Sequence, residues 1–101
     1  MGDVDASVAD YAQIIQRRIM ENLSYPKSAK EAGFQGTTKL GMHISYRGDL
    51  LDATIKSTSG YSVLDDNAVA TAKAISIYPP FPSSIKKEDL WLDIPIRYKL
   101  D

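Results

Sequence analysis

The C-terminal stretch from Leu90 to Leu100 constrains the fold most. Leu90, Leu92, Ile94, Ile96, Tyr98 and Leu100 alternate with Trp91, Asp93, Pro95, Arg97 and Lys99. A period of two is the mark of a strand with one buried face. Pro95 sits inside that pattern. Proline has no N–H to give to a ladder, so it is confined to edge strands and bulges. The chain therefore ends in an edge strand with Pro95 on the outward side. Such a strand needs neighbours along its other side and helices over its apolar face.

The preceding residues supply both. Val4, Val8, Tyr11, Ile15, Ile19 and Leu23 recur at helical spacing, with Gln13, Gln16, Arg17 and Glu21 on the other side, which predicts one amphipathic helix over 4–23. Tyr25-Pro26 stops it, because proline pushes its predecessor out of the helical region. A short helix over 26–32 follows, with Pro26 in its first turn and Gly33 as its cap. The period then becomes two: Leu40, Met42, Ile44 and Tyr46 face one way, and Lys39, Gly41, His43 and Ser45 the other. Arg47-Gly48-Asp49 turns the chain, and Leu51, Ala53 and Ile55 resume the alternation as a hairpin. Ser62 and Asp65 have the spacing of a capping box, opening a helix whose stripe is Leu64, Ala68, Ala72 and Ile75. Its small residues let it lie close to a sheet. Tyr78-Pro79-Pro80-Phe81-Pro82 ends it. The reading is an α+β fold, a small antiparallel three-stranded sheet with two main helices on one face. Residues 1–24 form the N-terminal helix and residues 25–101 the rest of one compact domain.

A chain of 101 residues holds one domain. Its net charge of −1 offers no nucleic-acid or anionic-membrane surface. Without cysteine there is no disulfide framework, thiolate metal site or thiol catalysis. His43, the single histidine, lacks ligand-spaced partners and reads as a solvated surface residue. Asp65-Asp66 reads as first-turn acids rather than an acid–base pair. Ser57, Ser59 and Ser62 have no nucleophile-elbow context, and Lys86-Lys87 is balanced by Glu88 and Asp89. No cofactor, metal or catalytic site is expected, and the inventory favours a binding role. Trp91 faces away from the core, with partial cover expected from the first helix or the 79–88 loop.

Five segments in order resemble the TonB C-terminal domain family. They are Tyr25-Pro26 through Gly33-Phe34-Gln35-Gly36; Ile44-Ser45-Tyr46-Arg47-Gly48-Asp49-Leu50; Ser57-Thr58-Ser59-Gly60-Tyr61 with Leu64-Asp65 and Ala68; Tyr78-Pro79-Pro80-Phe81-Pro82; and Ile94-Pro95-Ile96-Arg97-Tyr98. The departure is at Ile77-Tyr78, where the family places Phe or Trp nearer the helix end.

The resemblance implies the periplasmic end of an inner-membrane energy transducer, excised from its membrane helix and proline-rich spacer. It also implies work with an ExbB–ExbD motor driven by the proton gradient. Such domains grip the TonB box of outer-membrane transporters by strand pairing, to admit siderophores, cobalamin or similar nutrients. Carried onto this chain, the partner-binding residues are Asn22, Tyr25, Pro26, Leu92, Asp93, Ile94, Pro95, Ile96, Arg97 and Tyr98, with Tyr25-Pro26 equally readable as a packed helix stop. An open edge also invites homodimers. The rival readings are a TolA-like envelope-integrity domain and a TonB-like accessory domain fused to a sensor or an enzyme.

Overall fold

Six elements follow in the expected order: α1 (Gly2–Asn22), α2 (Lys27–Ala32), β1 (Gly36–Ser45), β2 (Leu50–Ser57), α3 (Ser62–Ala74) and β3 (Asp89–Tyr98). This computed structural model describes the backbone of residues 2–101 and side chains from Ser7 onward; the Val4 side chain of the predicted stripe lies outside the described residues. The sheet order is β2-β1-β3, both pairings antiparallel. The last strand in the chain is thus an edge strand, and the first is the centre.

The predicted stripes meet in one core. Tyr11, Ile15 and Ile19 of α1 and Leu64, Ala68 and Ala72 of α3 are buried with Leu40, Met42, Ile44, Leu92, Ile94, Ile96 and Tyr98 of the sheet. Helix α1 packs mainly on β3, and α3 on β2 and β1, so each helix covers one side of the same face. Ile75 follows α3 rather than belonging to it and is only partly buried. Gly33 ends α2 at φ 75°, and Phe34 N–H donates to the Ala29 carbonyl at 2.9 Å. Pro26 precedes α2 as its N-cap instead of sitting in the first turn.

Three expectations need correction. Tyr46 lies beyond β1 and is 47% exposed, its hydroxyl accepting from Arg47 Nε at 2.9 Å. In β2 only Ala53 is buried, while Leu51 and Ile55 are 54% and 42% exposed. Leu51 falls at the register shift beside His43/Ile44, whereas Ile55 lies opposite Leu40 on the core face and is left partly uncovered on this edge strand. Gly48 is more than a turn residue. Its φ is 93°, and an added Cβ would collide with the Tyr78 carbonyl oxygen. The Gly48 carbonyl in turn accepts Tyr78 N–H at 2.9 Å, so the hairpin tip is docked on the exit from α3.

The capping box is also absent. The N-cap of α3 is Tyr61, with no side-chain cap. Asp65 turns inward and accepts from the Thr38 hydroxyl at 2.7 Å, the Ser59 N–H at 2.9 Å, the Ser59 hydroxyl at 2.8 Å and the Thr58 hydroxyl. Burial alone would raise its pKa, but these donors outweigh that and hold it down at about 2. Thr38 is in β1, and Thr58 and Ser59 follow β2, so one carboxylate joins α3 to the hairpin.

Two outcomes follow from this packing. Ile94→Ala removes a fully buried side chain from the edge strand and is expected to cost about 2–5 kcal/mol in urea unfolding. Asp65 has a depressed folded pKa, so its contribution is complete above roughly pH 4, the unfolded carboxylate range. It is lost as pH falls through about 2. Urea midpoints between those pH values should fall in the wild type, whereas Asp65→Asn should start lower and lack that part of the decline.

Candidate functional site

The candidate site is the free edge of β3, one of the two edges of the sheet. Pro95 lies opposite Lys39 in an uninterrupted register running from Gly36 opposite Tyr98 to Ser45 opposite Asp89. Pro95 cannot donate, and its carbonyl accepts from Gln16 Nε2 of α1 at 2.9 Å. The Pro95–Lys39 pair is therefore a non-hydrogen-bonded one, with Pro95 pointing its backbone groups outward. Because these directions alternate along an antiparallel strand, Trp91, Asp93 and Arg97 also present N–H and C=O to the free edge.

The ten expected site residues separate on this basis. Leu92, Ile94, Ile96 and Tyr98 turn their backbone groups to β1 and bury their side chains; they hold the strand in place. Asp93 and Arg97 are exposed, and Pro95 half-buried. Tyr25 packs its ring edge-on against Tyr98, with centroids 5.4 Å apart, and its hydroxyl donates to the Phe34 carbonyl. It thus fixes the C-terminal end of β3. Pro26 is half-buried beside it. Asn22 lies elsewhere, in a cleft with Arg18, Ala70, Thr71 and Ala74 between α1 and α3. Its side-chain amide donates to the Arg18 carbonyl at 2.8 Å.

Two features escaped the sequence reading. Trp91 is 57% exposed, not covered by α1 or the 79–88 loop. It stacks on His43, with centroids 4.7 Å apart and planes 8° from parallel. His43 is not simply solvated: its Nε2 bonds the Asp89 carboxylate. Asp89 is 46 residues from His43 in sequence, so these contacts were visible only through the β1–β3 register. The other is Gln16, which read as a polar-face residue of α1. Among the described residues no group of side chains is arranged to hold a metal ion, and no helix is long and apolar enough to cross a membrane.

The comparisons with known proteins agree with this architecture. A family model for the Gram-negative bacterial TonB protein C-terminal matches residues 21–100. Protein tonB2 of Pseudomonas aeruginosa is 34% identical over 77 residues, covering 76% of this chain and 28% of the relative. Protein TonB of Haemophilus ducreyi is 31% identical over 101 residues, covering 97% of this chain and 33% of the relative. The solution structure of the Helicobacter pylori TonB-CTD superposes with a TM-score of 0.76 at 26% identity, covering 91% of this chain and 82% of that one. The chain is thus an α+β domain whose last strand is an open, proline-marked edge, and it belongs to the TonB C-terminal family. It spans about a third of the length of these curated relatives.

Gln16→Ala is expected to cost about 0.5–1.5 kcal/mol in urea unfolding, the usual worth of one such hydrogen bond. A larger loss would mean that α1 depends on this contact for docking, not on Tyr11, Ile15 and Ile19.

Proposed function

We propose that the chain is the periplasmic C-terminal domain of a TonB-type energy transducer, a protein-binding module without catalysis of its own. In this reading the β3 edge pairs with the TonB box, an extended segment of outer-membrane transporters. The whole protein is held in the inner membrane and works with ExbB–ExbD, coupling the proton gradient to uptake of nutrients such as siderophores or cobalamin. The observation that carries the binding step is the unpaired edge at Trp91, Asp93 and Arg97, joined to family membership. Unpaired N–H and C=O groups along an edge are a template for β-augmentation. Main-chain bonds give affinity with little sequence demand, and neighbouring side chains choose the register. Tyr25 and Pro26 stand at the C-terminal end of the edge; Asn22, in the α1–α3 cleft, belongs to the proposed contact only if the partner runs past them.

Backbone pairing makes a distinctive prediction. Asp93→Ala and Arg97→Ala should each shift affinity for a TonB-box peptide by only about 0.2–1 kcal/mol. Asp93→Pro removes an outward donor without touching the β1 ladder, so it should weaken binding well beyond Asp93→Ala while the domain stays folded. Amide chemical shifts followed during the titration should concentrate at 91–98 and 22–26. Shifts confined to the 47–49 turn or to α3 would reject the reading.

A further inference from the structure

Pro95 interrupts the β3 edge, and the side chain that reaches the interruption comes from α1. Gln16 follows Ile15, which is fully buried, and is itself half-buried where α1 packs on β3. The helix thus fixes where this side chain starts. Its carboxamide extends to the free edge, where Nε2 donates to the Pro95 carbonyl at 2.9 Å.

An added strand, parallel or antiparallel, presents two backbone groups to residue 95: an N–H for its carbonyl and a C=O for its N–H. Proline has no N–H to meet that C=O. In the free domain, moreover, Gln16 Nε2 stands where the incoming N–H must come. If the amide stays, both incoming groups lack partners. If it gives way, the incoming N–H bonds the Pro95 carbonyl, and only the incoming C=O is left unpaired, beside the amide just released. A primary amide carries two N–H donors, so a change of side-chain rotamer suffices to donate to that carbonyl. One hydrogen bond in the free domain is then replaced by two in the complex, and no carbonyl is left without a donor. Lys39, opposite Pro95, and Arg97 are exposed on the other face of the sheet; Gln16 approaches from the helix side and is already held at the gap.

We propose that Gln16 is a partner-binding residue that completes the ladder across Pro95. It caps the Pro95 carbonyl in the free domain. When an extended segment adds to β3, it yields that carbonyl to the segment's N–H and donates to the segment's C=O that proline leaves unpaired. The inference rests on the reading that β3 receives such a segment. Gln16 serves binding only because residue 95 is proline, and that dependence separates this role from a share in docking α1.

A double-mutant cycle tests it, with affinity for a TonB-box peptide measured alongside amide chemical shifts. Gln16→Met keeps the length of the side chain and removes its donors. It should weaken binding about three- to tenfold, the worth of one hydrogen bond. Pro95→Ala restores a backbone N–H to the edge, and in that background Gln16→Met should change affinity by less than about twofold. The Gln16 side-chain amide resonances should move together with the backbone amides of 91–98. Should a substitution alter the circular dichroism spectrum, Gln16→Leu and Pro95→Val carry the same comparison. A role limited to docking α1 predicts equal losses in both backgrounds. That result, or unchanged or tighter binding by Gln16→Met, would overturn the proposal while wild-type shifts at 91–98 left the edge reading in place. A wild type without shifts at 91–98 would overturn both.

Discussion

The pairing of β1 with β3 is the contact the remaining structure is arranged around. Two ten-residue strands lie in register without a slip, yet the hairpin and α3 separate them in sequence. Closing so long a loop is entropically costly before any ladder bond forms. The intervening segment is accordingly tied down at several points. Asp65 fastens the start of α3 to β1 and to the end of β2. The Tyr98 hydroxyl donates to Asn67 Oδ1 at 2.6 Å, joining β3 to α3. Tyr78 donates to the Ala72 carbonyl at 2.7 Å, and Tyr11 to that of Pro79 at 2.6 Å. Burial pushes both phenols up to about 12, so they remain donors across the physiological range.

Most of the fold was legible because its signals are local. The period-two runs at 40–44 and 92–98, the stripe at Tyr11, Ile15 and Ile19, and the glycine after α2 each depend on residues close in sequence. The edge position of β3 was legible too, since Pro95 forbids a central place. What failed was long-range or depended on irregular pairing. The Ser62/Asp65 spacing matches a cap, but donors from β1 and the loop after β2 outcompete the helix end for that carboxylate. Leu51 looks inward-facing only if the hairpin is regular, and nothing in its sequence announces the shift beside it; Ile55 does share the face of Leu40, but on an edge strand that the helices leave partly uncovered. The site was half legible for the same reason. Asp93, Pro95 and Arg97 can be placed on the outward side by parity, but Gln16 and the His43–Trp91 stack exist only once α1 and β1 are set against β3.

The two edges of the sheet are protected by different means. An exposed edge is a hazard because any strand can add to it. On β2 the hazard is met by charge: Asp52 occupies the Ala53 N–H, and the two register shifts confine the regular stretch to a few residues.

On β3 the limit is geometric. Pro95 removes a donor at the middle of the edge, and Gln16 occupies the acceptor of the same residue. That leaves backbone groups at Asp93 and at Arg97, on either side of a gap. An incoming strand would have to span that gap in any register, and the neighbouring side chains choose among registers. A second copy of β3 would bring its own gap and lose bonds at both. A partner strand with an uninterrupted backbone loses them once. The same proline that made the strand recognisable in the sequence therefore biases its edge towards a foreign segment over a copy of itself.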